Sequence, residues 1–293
     1  MESWRELQKE ELEYQYSPSR WSPRMDKDAV IEAHVRLTSE GTKKSQSMTE
    51  TLLNVPYGAL EGEKMDIYLP LHSSGAFPFF IYVHGGYWQF LSKEESGFMA
   101  PPLLRKGIAV VALGYDIAPK GDMDLMVSQV RRGIAFVARQ YPCISGLYLC
   151  GHSAGAHLVA MALSTDWTDY GVKPEIKGAF LVSGVYDLLP ITHTYVNAPL
   201  CMSEEIAVRN SPMQHVREVK SQAETCRIVV VLAEHDTAEF CRQSQEYSQN
   251  LQALGLNVCL RDINGVDHFD VIEKLSQEDY VLTQIILNMI LRE

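Results

Sequence analysis

The stretch LYLCGHSAGAHLVAMAL (residues 147–163) places a serine between two glycines, with an apolar run on either side. A lone G-x-S-x-G string is most often a tight turn, so its surroundings decide what it means. Here the run before Gly151 has the pattern of a buried strand and the run after Gly155 that of a helix, which is the context of a nucleophile elbow. The Ser153 hydroxyl would then lie at a helix N-terminus, where negative charge is favoured.

A serine hydroxyl is a weak nucleophile at neutral pH and needs a base that is oriented by an acid. After an elbow of this kind the acid and then the histidine follow in chain order. Asp236 ends the apolar run RIVVVLAEHD, and His268 follows the last strand-like run, in NGVDHFD. We therefore predict Ser153 as nucleophile, Asp236 as acid and His268 as base. Asp187 and Glu234 are alternative acids, and Asp187 is the better placed of these two.

The choice of His268 among nine histidines rests on position. His152 and His157 flank the elbow and are expected to be structural. His235 adjoins Asp236 and would compete with it. His268 comes after the acid, in a loop at a strand end.

A second glycine-bearing motif, HGGYW (residues 84–88), also follows a strand-like run. A tetrahedral intermediate needs N–H donors for its oxyanion, and backbone beside glycine can approach such an atom closely. We predict the N–H groups of Gly85, Gly86 and Ala154 as this oxyanion hole. Taken alone, HGGYW could be a glycine-rich hairpin turn. We expect His84 to brace the loop through hydrogen bonds.

Composition narrows the classes of partner. The 293-residue chain carries 37 acidic and 26 basic residues, for a formal net charge of -11. Such a surface repels nucleic acid and anionic lipid, so we expect neither nucleic acid nor a membrane as a partner. The six cysteines have neither pairing nor metal-ligand spacing, so we expect reduced thiols, no metal and no cofactor. An N-terminus without an apolar signal segment leads us to expect the cytoplasm.

The pattern along the chain predicts an α/β fold. Helices are predicted at 123–142, from 154 onward, at 238–255 and at the C-terminal end, and strands at 63–70, 77–86, 107–119, 146–150, 178–184, 227–236 and 257–265. Apolar strands that alternate with helices indicate a mostly parallel central sheet with helices on both faces. The early strands have no helices between them, so that edge should be antiparallel. We expect one domain over 1–293, with 1–50 and 187–224 as a small partial cap.

Together these motifs resemble the hormone-sensitive-lipase-like branch of the α/β-hydrolase fold, which carries an HGG loop, G-x-S-x-G and a Y-x-x-A-P segment, here YDIAP (115–119). A closer resemblance is to the kynurenine formamidase (arylformamidase) family, from about residue 14 to near the C-terminus. The blocks that carry it are YSPSRW, VPYG, HGGYW, YDIAPKG, YLCGHSAGAHL, LVSGVYDL, RNSP and GVDHFD. The resemblance implies the same triad and oxyanion residues as above.

The family implies hydrolysis of N-formyl-L-kynurenine to L-kynurenine and formate in tryptophan breakdown, through a formyl-serine intermediate. Where the lipase branch often has a third glycine, this chain has Tyr87. We expect Tyr87 and Trp88 to supply rings to the substrate pocket, with core packing an equal alternative for Trp88. A short-chain carboxylesterase and a non-catalytic binding protein of the same fold are the alternative functions. A homodimer and a nuclear fraction beside the cytoplasmic one stay open.

Overall fold

An eight-stranded sheet runs through the described residues, which are 4–71, 76–141 and 144–292 of a computed structural model. Its strands are β1 Glu50–Pro56, β2 Lys64–Leu69, β3 Phe77–Val83, β4 Ala109–Leu113, β5 Ile144–His152, β6 Ile176–Val182, β7 Arg227–Ala233 and β8 Val258–Ile263. They lie in the order β1-β2-β4-β3-β5-β6-β7-β8. The predicted α/β fold with a mostly parallel sheet is confirmed.

The strands pair as the chain order suggested. β1 and β2 are antiparallel, as are β2 and β4, and every other neighbouring pair is parallel. The predicted antiparallel edge is therefore confirmed. β1 itself was not predicted, because it is an irregular edge strand whose register shifts between Leu52 and Val55. At the shift Asn54 has a φ of 56°, and its N–H donates to Asp66 Oδ1 at 2.7 Å.

Helices cover both faces of the sheet. They are α1 Lys9–Gln15, α2 Lys27–Met48, α3 Ala100–Leu104, α4 Met123–Gln140, α5 Ala154–Leu163, α6 Glu204–Arg209, α7 Val216–Gln222, α8 Ala238–Ala253, α9 Asp270–Glu273 and α10 Val281–Leu291. α4 begins at an N-cap, Asp122, whose carboxylate accepts the Leu125 N–H at 2.8 Å. α5 is buried along its whole length, and so is β4. None of the helices in the described ranges is long and apolar enough to cross a membrane.

Two segments were expected to lie outside the α/β alternation. Segment 1–50 contains α1 and α2, and segment 187–224 contains α6 and α7. They contact each other where Ser17 Oγ and Tyr195 Oη lie 2.8 Å apart. Residues from both line the same pocket as Ser153 and His268. Four cysteines within the described ranges are free thiols, Cys150, Cys201, Cys241 and Cys259, and Cys143 lies outside those residues.

Candidate active site

Ser153 lies at the sharp turn from β5 into α5. Its φ of 55° and ψ of -118° are a costly conformation for a residue with a side chain. The flanking glycines make the turn possible, because a Cβ on Gly155 would lie 2.0 Å from the Val83 carbonyl oxygen and one on Gly151 would lie 2.2 Å from that of Gly155. The Ser153 N–H donates to the Val182 carbonyl at 2.8 Å. The hydroxyl therefore stands at the end of the central strands.

His268 and Asp236 form a buried hydrogen-bonded pair. His268 Nδ1 lies 2.7 Å from Asp236 Oδ1, with 3% and 0% of the two side chains exposed. The other carboxylate oxygen, Asp236 Oδ2, accepts from Ser183 Oγ at 2.6 Å and from the Ala233 N–H at 2.9 Å. With Nδ1 donating to the carboxylate, His268 Nε2 has a lone pair available to take a proton.

Ser183 was missed by sequence reasoning. It follows β6 and has a φ of 48°, which turns its hydroxyl toward Asp236. The available signal was its place before a glycine in LVSGV, at the end of a predicted strand.

The two alternative acids have other partners. Asp187 Oδ1 accepts the Leu189 N–H at 3.0 Å, and burial raises the pKa of Asp187. Glu234 Oε2 accepts the Gly265 N–H at 2.5 Å. Of the three candidates, Asp236 is the one that the structure brings to His268.

Ser153 and His268 line the same pocket. Within the described ranges no hydrogen bond joins Ser153 Oγ to the His268 ring. Catalytic hydrogen bonds are often long until a substrate binds, so the missing bond does not exclude proton transfer between the two residues.

Three backbone N–H groups are grouped at the elbow. Ala154 is the first residue of α5, where an N–H has no acceptor within its own helix. A Cβ on Gly85 would lie 3.1 Å from Ser153 Cβ, so the backbone there packs directly against the serine. Gly86 has a φ of 91° and lines the pocket. In the described part of the chain no backbone carbonyl accepts from the N–H of Gly85 or Gly86.

Two further histidines hold the loops around the serine. His84 Nδ1 lies 2.9 Å from the Gly85 carbonyl oxygen, and Tyr115 stacks on its ring at 4.3 Å and donates to its carbonyl at 3.0 Å. Burial lowers the pKa of His84 to about 4, so the imidazole is neutral at pH 7. His152 Nε2 lies 2.7 Å from the His268 carbonyl oxygen, and burial holds its pKa well below the usual range. His84 and His152 thus stabilise the two loops next to Ser153 through hydrogen bonds.

The two aromatic residues after the glycines have different surroundings. Tyr87 lines the pocket, and its hydroxyl donates to the Tyr16 carbonyl at 2.8 Å. Trp88 is fully buried, and its indole N–H donates to His157 Nδ1 at 3.0 Å. The structure does not bring Trp88 to the pocket; its ring packs in the core, which was the alternative expectation for this residue.

The pocket above the serine has a volume of about 220 Å³. Its walls are mainly apolar and aromatic, and its lining includes no lysine, arginine, aspartate or glutamate among the described residues. The lining residues are Ser17, Pro18, Ser19, Ile31, His34, Gly86, Tyr87, Gln89, Phe90, Leu91, His152, Ser153, Tyr195, Val196, His268 and Phe269. No cluster of three or more metal-ligating side chains was found among the residues that the structure describes. The arrangement suits acyl transfer on a small aromatic substrate.

Comparison with known proteins agrees with the fold and narrows the family. The BD-FAE family profile matches residues 65–251. An esterase from Pyrobaculum calidifontis superposes with a TM-score of 0.69 at 18% identity, covering 97% of both chains, and such neighbours establish the α/β-hydrolase fold. Over 290 residues the chain is 60% identical to kynurenine formamidase of Danio rerio and 59% identical to that of Salmo salar, with 99% of each chain covered. The chain therefore belongs to the BD-FAE family and to the kynurenine formamidases.

Proposed function

We propose that this enzyme hydrolyses N-formyl-L-kynurenine to L-kynurenine and formate, with Ser153 as nucleophile, His268 as base and Asp236 as the orienting acid. The observation that carries the proposal is that His268, whose Nδ1 lies 2.7 Å from Asp236 Oδ1, lines the same pocket as the strained Ser153. The kynurenine formamidase relatives of Danio rerio and Salmo salar support the substrate.

The first half of the reaction makes an acyl-enzyme. Ser153 Oγ attacks the formyl carbon while His268 Nε2 takes the hydroxyl proton. The oxyanion that forms accepts hydrogen bonds from the N–H groups of Gly85, Gly86 and Ala154. Collapse of this intermediate breaks the C–N bond, and His268 gives its proton to the departing aniline nitrogen. Asp236 keeps the imidazole oriented and stabilises its protonated form.

The second half releases formate. Water attacks the formyl ester on Ser153 as His268 takes its proton, and the serine then leaves with that proton. Each catalytic cycle consumes one water molecule, and the residues of the chain supply every other group that this mechanism uses.

The chemistry of the substrate fits the pocket. An aniline leaves more readily than an alkylamine, so an esterase-type triad suffices for this amide. The formyl group is the smallest acyl group, and Tyr87 is fixed beside the oxyanion glycines by its bond to Tyr16. Phe90, Leu91 and Phe269 offer apolar surface to an aromatic leaving group.

The test is turnover of N-formyl-L-kynurenine and of a short aryl ester by the wild-type enzyme and its variants. Ser153→Ala and His268→Ala should each lower kcat by roughly six orders of magnitude, and the double variant should be little worse. Ser221→Ala, on the exposed face of α7, is the matched control and should keep full activity.

Two results would contradict the proposal. A folded Ser153→Ala protein with near-normal turnover would remove Ser153 as nucleophile. An enzyme that cleaves the ester and leaves the formamide intact would favour the alternative, a short-chain carboxylesterase.

The covalent step has its own test. A serine-directed fluorophosphonate should inactivate the enzyme with one label per chain, and peptide mapping should find the label on Ser153. A label on any other serine would contradict the formyl-serine intermediate.

We also propose that residues 1–50 and 187–224 act as a partial cap on a single domain. Ser17 and Tyr195, one from each segment, contact each other at 2.8 Å on the pocket wall. For location we propose the cytoplasm, because Cys150, Cys201, Cys241 and Cys259 are free thiols, which suits a reducing compartment. Light scattering of the purified chain would test the homodimer, and fractionation would test the cytoplasmic and nuclear pools.

A further inference from the structure

The loop that carries His268 follows β8, the last strand of the sheet. Among the strands that the structure describes, β8 pairs with β7 alone, so none of them supports this loop on its outer side. The N-terminal segment before α2 contacts the loop instead, through the hydrogen bonds of Ser22 and Arg24 to Asp267. Sheet pairing alone therefore does not hold the catalytic histidine in place.

Asp267, the residue before His268, is the centre of the contact. Its side chain is fully buried, and its Oδ1 accepts the N–H groups of Phe269 and Asp270, both at 2.9 Å. These two bonds close the turn around His268. Although burial alone would raise it, hydrogen bonds from Arg24, Ser22 and the turn keep the pKa of Asp267 well below the usual range.

Arg24 supplies the charge that balances this carboxylate. Its Nε donates to Asp267 Oδ2 at 2.7 Å and one terminal nitrogen donates to Oδ1 at 3.0 Å, a bidentate pair. The other terminal nitrogen donates to Glu273 Oε2 at 3.3 Å, and Glu273 Oε1 lies 2.8 Å from His34 Nδ1. The guanidinium is thus oriented from two sides.

We propose that Arg24 is a positioning residue for the catalytic base, acting through Asp267 on the turn that carries His268. The inference rests on the proposed role of His268. Without Arg24, a buried carboxylate would lose its counter-charge and would protonate or turn outward. Asp267 would then release the N–H groups of the turn, and the imidazole would move relative to Ser153 and Asp236. A displacement of about 1 Å in a reacting group can cost about a hundredfold in rate.

The experiment compares Arg24→Ala and Arg24→Lys with Arg105→Ala, a control that removes an exposed ion pair to Glu278. Rates of N-formyl-L-kynurenine hydrolysis are divided by the number of sites that a fluorophosphonate labels at completion. Arg24→Ala should lower kcat about ten- to a hundredfold with little change in KM, because the base is displaced while the pocket is kept. Added guanidinium ion should restore part of the lost kcat in Arg24→Ala and should not affect the control.

A second variant separates positioning from simple stabilisation. Asp267→Asn keeps the shape of the side chain and should reproduce the kcat loss, and the double variant with Arg24→Ala should be no worse than either single change. An Arg24→Ala enzyme with the wild-type kcat per labelled site would overturn the inference. If Arg24→Ala does not fold, wild-type kcat in both Arg24→Lys and Asp267→Asn would overturn it. Active His268→Ala enzyme would instead overturn the proposed mechanism, so the two failures are distinguishable.

Discussion

The two carboxylate oxygens of Asp236 have different partners, and these partners determine the expected effect of replacing Asp236 with asparagine. Oδ1 contacts His268, and Oδ2 accepts from Ser183 and the Ala233 N–H. In Asp236→Asn the new NH₂ group would face either two donors or the imidazole N–H. We expect kcat to fall by about four orders of magnitude, as expected for a misoriented imidazole.

The matched control for this change is Asp187→Asn, because Asp187 contacts the Leu189 N–H rather than His268. We expect its kcat to stay close to the wild-type value. Steady-state kinetics on both folded variants checks the assignment. Loss of activity in Asp187→Asn with an active Asp236→Asn would reverse the choice of acid.

Tyr87 sets the size of the acyl group that can be accepted, if its ring closes the pocket beside Gly86. N-formyl-L-kynurenine should then be preferred over N-acetyl-L-kynurenine by well over tenfold in kcat/KM, because a packed wall excludes an added methyl group. Tyr87→Ala should narrow that gap, mainly by raising the acetyl rate. Tyr87→Phe loses the hydrogen bond to Tyr16 and keeps the ring, so it should preserve the preference for the formyl substrate.

Kinetics on both substrates with the three proteins tests this. Equal formyl and acetyl rates in the wild-type enzyme would favour a general esterase. A gap that persists in Tyr87→Ala would assign the acyl wall to other residues.

At the scale of elements, the sequence predicts what has a strong local pattern. Elements such as β7 and α4 could be predicted because they have apolar runs or helical periodicity, and the elbow because its glycines lie between a strand and a helix. β1 could not, because an exposed, shifted edge strand has no alternating pattern. Nor could Ser183 or Arg24 be tied to the site. Their partners, Asp236 and Asp267, are 53 and 243 residues away along the chain.

The elbow depends on the close approach of α5 to β3, which gives a prediction for glycine. In Gly155→Ala the new Cβ would lie 2.0 Å from the Val83 carbonyl oxygen and 2.6 Å from that of His84. Both are backbone atoms, so neither can move without shifting the loop that carries Gly85 and Gly86. We expect a loss of about 3 kcal/mol or more in the free energy of unfolding, measured by denaturant titration.

Gly146→Ala is the control, because the nearest atoms to its new Cβ belong to the flexible side chain of Lys177. We expect it to change the free energy of unfolding by less than about 1 kcal/mol. Similar stability in both variants would mean that α5 can withdraw from β3 at little cost.

At the scale of the whole molecule, the N-terminal segment ties the start of the chain to its C-terminal half. Tyr16 Oη donates to Glu239 at 3.2 Å and accepts from Gln243 at 2.8 Å, both on α8. Arg24 contacts the loop after β8. His268 is therefore enclosed by parts of the chain that are distant in sequence, so its geometry depends on the complete fold.

The Arg24–Asp267 pair also predicts how global stability depends on pH. Asp267 has a native pKa well below its unfolded value of about 3.9, so it stabilises the fold above that value and loses this contribution as pH falls toward the native pKa. Asp267→Asn should lower the free energy of unfolding by about 3 kcal/mol near neutral pH, and the deficit should shrink in acid. The exposed Asp262→Asn should show no such trend. Urea unfolding of the three proteins from pH 7 down to pH 3 measures it, and a deficit that stays constant with pH would mean that the contact is not electrostatic.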